Sequence, residues 1–188
     1  MHPRIAAFLS NIGNPFLLFP VVISYLAARE LGYEAAKPLL FTMLAIFGIL
    51  AVFLFVRKQR GEITNLDVSN QKQRALNIYL PTIIMLLLAI AYFQWTKQPY
   101  VFRTLYVGLL LITCFALNFW KKISLHTVVA TYLSSLLLST NYWLGIAFFV
   151  FAFLIAWSRV VLERHTKTEV LLGWVVGSLF GLGYAWIF

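Results

Sequence analysis

The chain has 188 residues, of which 62% are hydrophobic and only 11% charged, and its mean hydropathy is +0.86. A soluble domain of this length would carry about a quarter charged residues, so the composition excludes one and points to a polytopic membrane protein. The net charge of +9 would suggest nucleic acid in a soluble protein. In a membrane chain it fits basic loops held in the cytoplasm and contacts with anionic membrane lipids, and no nucleic-acid partner is expected.

Apolar runs of the roughly 20 residues needed to cross a bilayer recur along the chain. They are continuous rather than alternating, which favours helices over a β-barrel. The expected fold is all-α: one integral-membrane domain over residues 1–188, a polytopic bundle of six to seven transmembrane helices. Residues 3–12 form a short interfacial helix, with Pro15 marking a break. The first span covers 14–30, tolerates Pro20, and leads into a turn at ELGYEAAKP. A second span, 38–57, is followed by the longest polar stretch, RKQRGEITNLDVSNQKQR at 57–74. The third and fourth spans are 76–95 and 101–120. KKISLH, 121–126, interrupts, and a fifth span runs from near Ser124 to Leu138. STNYW turns the chain; the sixth span runs from 142 to SRVVLERHTKTEV, and the seventh from 168 to the C-terminus. A re-entrant first helix would reduce the count to six.

Trp95, Trp120, Trp143 and Trp157 fall near span ends, where amphipathic rings prefer to sit. Pro81, Gly145 and the glycines at 173, 177, 181 and 183 are expected at helix contacts. The four-residue spacing of Gly173, Gly177 and Gly181 brings them onto one face for close approach. The N-terminal segment lacks the features of a cleaved signal peptide and is expected to be retained. The lone cysteine, Cys114, permits no internal disulfide and belongs to no metal-binding cluster.

The polar stretches at 57–74, 121–126 and 158–167 are separated by helical hairpins and so share one side with the N-terminus. Eleven of the fifteen basic residues lie there: Arg4, Arg57, Lys58, Arg60, Lys72, Arg74, Lys121, Lys122, Arg159, Arg164 and Lys167. Setting aside Arg74 and Arg159 as functional still leaves nine against Arg29, Lys37, Lys97 and Arg103. That bias predicts a cytoplasm-facing polar surface and an outward C-terminus. The expected location is the bacterial inner membrane.

Of the three histidines, His2 is terminal, whereas His126 and His165 sit at membrane-edge positions on the shared side with Arg74 and Arg159. Ionisable groups at such depth tend to be functional; the plain alternative is a charged loop between helices. His165 and Glu169 are four residues apart and would share a helical face. A carboxylate there holds one ring nitrogen and leaves the other as a nucleophile. Arg159, six residues before His165, offers a planar fork that matches phosphate oxygens. Together these residues point to phosphoryl transfer.

Ser158-Arg159, five residues, His165, three residues, Glu169 resembles the third signature, SRxxxxxHxxxD, of the type 2 phosphatidic acid phosphatase superfamily, departing only in Glu for Asp. KISLH keeps Ser124 and His126 of the second signature, PSGH, with Ile123 for Pro and Leu125 for Gly. DVSNQKQRA keeps Arg74 of the first, KxxxxxxRP, with Asp67 for Lys and Ala75 for Pro. The resemblance covers residues 57–170, and the helical pattern extends it over the chain. It implies the helical fold shared with the haloperoxidases. His165 would be the nucleophile that becomes a phosphohistidine, oriented by Glu169. His126 would be the acid that protonates the leaving oxygen and then the base that activates water. Arg74, Arg159 and Ser124 would form the phosphate cradle, with the Leu125 N–H in place of a glycine's. Lys122 is the favoured substitute for the absent motif lysine, against the plainer expectation that it faces water; Ser158 reads as a cap for the turn.

The resemblance implies no metal and no cofactor. The expected substrate is a lipid phosphate whose tail stays in the bilayer: phosphatidate, phosphatidylglycerol phosphate or polyprenyl diphosphate. The alternative is a degenerate relative that binds or transports lipid phosphates without hydrolysis. A prenyl transferase is excluded because its paired aspartate-rich motifs cannot be built from one aspartate, Asp67.

Overall fold

A computed structural model describes residues 3–68 and 70–188. Among these residues there is no strand. The helices are α1 (Pro3–Ile12), α2 (Pro15–Leu31), α3 (Tyr33–Gln59), α4 (Gln71–Arg74), a π-helical turn (Ala75–Tyr79), α5 (Leu80–Trp95), α6 (Val101–Trp120), α7 (Leu125–Thr140), α8 (Tyr142–Val161) and α9 (Lys167–Ile187). His2 lies outside the described residues. Among the described residues five stretches are long and apolar enough to cross a membrane: Tyr33–Gln59, Gln71–Trp95, Val101–Trp120, Tyr142–Val161 and Lys167–Ile187. Joining α1 to α2 across a 45° bend makes a sixth.

Two predicted spans fall short of the roughly 20 residues needed to cross a bilayer. Alone, α2 has 17 residues and α7 has 16, about 24 Å for α7 at 1.5 Å per residue. Eleven of the residues of α7 are buried, so this helix is a core element surrounded by protein. The predicted turn at 30–38 contracts to Gly32, whose φ of 83° takes the left-handed region open to glycine. Helix α3 therefore begins before Pro38, its first turn stapled by Lys37 to Glu34 at 2.6 Å. The third span extends back to Gln71, capped by the Asn70 side chain.

The chain divides into two compact units, Met1–Leu26 with Lys121–Phe188, and Ala27–Trp120. In the first, α7 packs against both α8 and α9. Between helices in lipid, water supplies no hydrophobic drive and close backbone contact decides association. The glycines make that contact. A Cβ at Gly173 would lie 2.9 Å from the Ser124 carbonyl oxygen, and one at Gly181 2.5 Å from the Ser135 Cβ. One at Gly177 would collide with Thr131 and the Val128 carbonyl, and one at Gly145 with the Leu138 backbone.

The same unit shows which way α1 and α2 run. Ser10 meets Arg159, and Gly13 abuts Ile155 one turn deeper in α8. Phe19 then stacks on Tyr132 in the middle of α7. The α1–α2 pair thus advances in one direction through the unit rather than turning back. Asn14 accepts the Phe16 N–H at 2.9 Å and restarts the helix at Pro15.

In the second unit, α5 packs against α6 and α3. Leu87, Leu88, Phe102 and Leu109 point outward, a surface suited to hydrocarbon. Arg103 forks onto Glu30, and the Tyr100 hydroxyl donates to the Ala35 carbonyl at 2.5 Å. Trp95, Trp120 and Trp143 are exposed at helix ends, as their chemistry predicts.

Candidate active site

Within the first unit the two polar stretches around 121–126 and 158–169 meet. The Ser124 N–H donates to the Glu169 carbonyl at 3.4 Å, and Lys122 Nζ donates to the Arg164 carbonyl at 2.7 Å. The N-termini of α7 and α9 therefore sit at one end of the unit. Each presents main-chain N–H groups with no partner inside its helix, a setting that attracts anions. A cavity of about 310 Å³ opens there, lined by Lys122, Val160, Glu163, Arg164, His165, Thr166 and Glu169.

The loop out of α8 folds back on Arg159. Its carbonyl accepts the N–H groups of Arg164 at 3.0 Å and His165 at 3.2 Å. Glu163 makes the reversal possible by taking a φ of 54°, a conformation that costs a non-glycine residue about 1–2 kcal/mol. That cost is offset by the contacts holding both ends of the loop.

His165 Nδ1 lies 2.8 Å from Glu169 Oε2. The route to this pair differs from the one expected. His165 precedes the cap of α9 and shares no helical face with Glu169. Thr166 is the N-cap and Glu169 the third helical residue, so the two form a reciprocal capping box. Thr166 Oγ1 accepts the Glu169 N–H at 3.3 Å, and Glu169 Oε2 accepts the Thr166 N–H at 3.3 Å. The same carboxylate oxygen faces His165, the cap and, at 3.9 Å, Lys122 Nζ. With Nδ1–H donated to Glu169, the neutral imidazole carries its lone pair on Nε2.

Lys122 is mostly buried at the site instead of facing water. Arg159 is 2% exposed and its Nη1 donates to Ser10 Oγ at 2.5 Å. His126, also buried, is the second residue of α7, two residues beyond the Ser124–Glu169 link, but it does not line the cavity. Ser124 is fully buried as the N-cap of α7, its oxygen accepting from the Thr127 hydroxyl at 3.0 Å. Leu125 follows as the first helical residue. Ser158 caps nothing: it is buried inside α8 and donates to the Ile155 carbonyl at 2.6 Å.

Arg74 belongs to the second unit, where it is 2% exposed at the end of α4. Gln71 and Asn118 bond reciprocally beside it, side chain to main chain, at 2.5 and 3.2 Å. The Arg57–Glu62 pair at 2.9 Å and the Gln73 donation to the Glu62 carbonyl at 3.3 Å fasten the polar stretch in which Asp67 lies.

Ser10, Thr166, Glu163 and Arg164 were not among the expected site residues. The Thr166-x-x-Glu169 spacing was a readable capping signature. Ser10 carried no comparable signal, being 149 residues from its partner. Among the described residues no group of three or more His, Cys, Asp or Glu is arranged to hold a metal ion.

No protein-family model, curated protein or solved structure matches the chain.

Proposed function

We propose that this chain is an integral-membrane lipid phosphatase that hydrolyses a phosphomonoester or diphosphate on a membrane-held tail. The observation that carries the reading is the His165 Nδ1–Glu169 Oε2 contact of 2.8 Å in a cavity that Lys122 and Arg164 also line. The order and spacing of the motif residues, resembling the type 2 phosphatidic acid phosphatases, support the same reaction.

In the proposed mechanism, His165 Nε2 attacks phosphorus. The P–O bond to the leaving group breaks, and that oxygen takes a proton from His126. Water then attacks the phosphohistidine, His126 accepts its proton, and the P–N bond breaks to release inorganic phosphate. Arg159, Lys122 and the N-termini of α7 and α9 stabilise charge on the phosphoryl oxygens. For Arg74, in the other unit, only the resemblance of its motif position suggests a role in phosphate binding. The nucleophile and the charge-stabilising groups are all protein atoms, so the reaction is expected to survive chelation.

The site is assigned to the cytoplasmic face of a bacterial inner membrane by the excess of basic residues on its side. The test uses single cysteines at Asn65 and Asn141 in a Cys114→Ser background, probed on intact cells with an impermeant thiol reagent. Labelling only at Asn141 is expected; labelling only at Asn65 reverses the orientation.

The catalytic proposal is tested by phosphate release from purified protein with a panel of lipid phosphates in EDTA. Turnover of at least one, lost in His165→Ala, is expected. A second reading, binding or transport of lipid phosphate without hydrolysis, is favoured by the commitment of the Ser124 hydroxyl to capping α7. Lipid-phosphate binding without turnover would select it.

A further inference from the structure

We propose that Ser10 is a positioning residue that sets the direction of the Arg159 guanidinium, so that the N-terminal helix belongs to the phosphate-binding apparatus. The inference rests on the reading of Arg159 as a phosphate-binding residue. Arg159 is 2% exposed, Ser10 is 5% exposed, and Arg159 Nη1 donates to Ser10 Oγ at 2.5 Å. At that burial a guanidinium cannot exchange its hydrogen bonds with bulk water, so each protein acceptor restricts where the remaining N–H groups point.

The acceptor is firmly placed. Ala6 and Ser10, one helical turn apart, are the buried residues of α1, and α1 packs against α8. At Gly13 the approach is so close that a Cβ would lie 2.5 Å from Ile155 Cγ1. Meanwhile the Arg159 carbonyl holds the N–H groups of Arg164 and His165. One residue therefore links α1 by its side chain to the nucleophile loop by its main chain. A fixed guanidinium binds an oxyanion without first being ordered, whereas a loosened one must be immobilised on binding.

The test measures binding of a short-chain phosphatidate to the purified full chain by calorimetry, together with turnover. Ser10→Ala and the near-isosteric Ser10→Cys, a poor acceptor, are each expected to raise Kd and KM about tenfold, with kcat changed less than threefold. Ala6→Gly loosens the same helix face without touching the hydrogen bond and is expected to leave Kd unchanged. A merely structural role for α1 would move all three variants together, and that result overturns the inference, as does an unchanged Kd in both Ser10 variants. If one Ser10 variant fails to fold, the other decides. Binding that responds to Ser10 in a wild type without turnover would refute the phosphatase reading while upholding the positioning role. A wild type that neither binds nor turns over phosphatidate or the other lipid phosphates would overturn both.

Discussion

Helix α7 and the segment from α4 into α5 both bury polar side chains, but they satisfy them differently. In α7, Thr131, Ser134 and Ser135 each donate to the carbonyl four residues earlier, at 2.9, 2.7 and 3.0 Å. Their polarity is absorbed largely within the helix, Thr131 also reaching the Trp174 carbonyl of α9 at 3.4 Å, and the glycines of α9 close against this face. In the other segment a π-helical turn interrupts the regular ladder over Ala75–Tyr79. There the buried oxygens Asn77 Oδ1, Tyr79 Oη and Asn118 Oδ1 have no hydrogen-bond partner among the described residues. The first region is a rigid seam that holds one end of the proposed site. The second keeps unsatisfied polarity at a break of the kind often found where proteins act or move.

The seam gives the sharpest contrast. Gly177→Leu should prevent accumulation of folded protein, because the new side chain meets the α7 backbone with nowhere to go; overpacking costs about 1–3 kcal/mol even where neighbours can yield. Gly48→Leu and Gly108→Leu face open space and should keep wild-type yield and melting temperature. Equal tolerance at Gly177 would remove the distinction.

Catalytically, the account expects His165→Ala to abolish turnover while the protein remains folded, as judged by size-exclusion profile and thermal melting. His126→Ala should slow turnover by about 10²–10⁴-fold. In the second unit, Tyr79→Phe keeps the ring stacked on Phe115 and removes a buried hydroxyl without a partner. It should raise stability by about 1 kcal/mol and leave kcat within about twofold. A large loss of activity there would bring the π-turn region into the chemistry.

An effect smaller than those of the histidine substitutions is expected at the capping box. Thr166→Ala should lower stability by about 1 kcal/mol and reduce kcat several-fold, since the Glu169 N–H loses its Thr166 Oγ1 acceptor and the first turn of α9, which carries the carboxylate, loosens. Unchanged kinetics would mean that His165, Lys122 and the Thr166 N–H hold the carboxylate without the threonine side chain.

Much of this architecture was legible because length, apolar runs and glycine spacing report directly on helices and their close contacts. The spans at 101–120 and 142 onward, and the glycine face of α9, needed no long-range information. The burial of α7 was harder to see: its composition resembles a span, and only its 16-residue length and Ser/Thr content hint that protein surrounds it. At the site, the His165–Glu169 pairing was visible but its geometry was inferred wrongly, because four-residue spacing was read as a helical face where a capping box does the work. Ser158 was misplaced for a related reason: α8 continues to Val161, so a residue expected at the turn lies inside the helix. The Ser10–Arg159 contact could not be read at all, since it joins two helices at opposite ends of the chain.

The central claim is that His165 attacks phosphorus. It is tested most directly by acid-free quenching of purified protein during turnover of a ³²P-labelled lipid phosphate, followed by analysis of labelled protein. The account predicts a base-stable, acid-labile phosphoryl group on His165 in the wild type, absent from His165→Ala. Turnover with no labelled protein intermediate, or the same label persisting in His165→Ala, would contradict it.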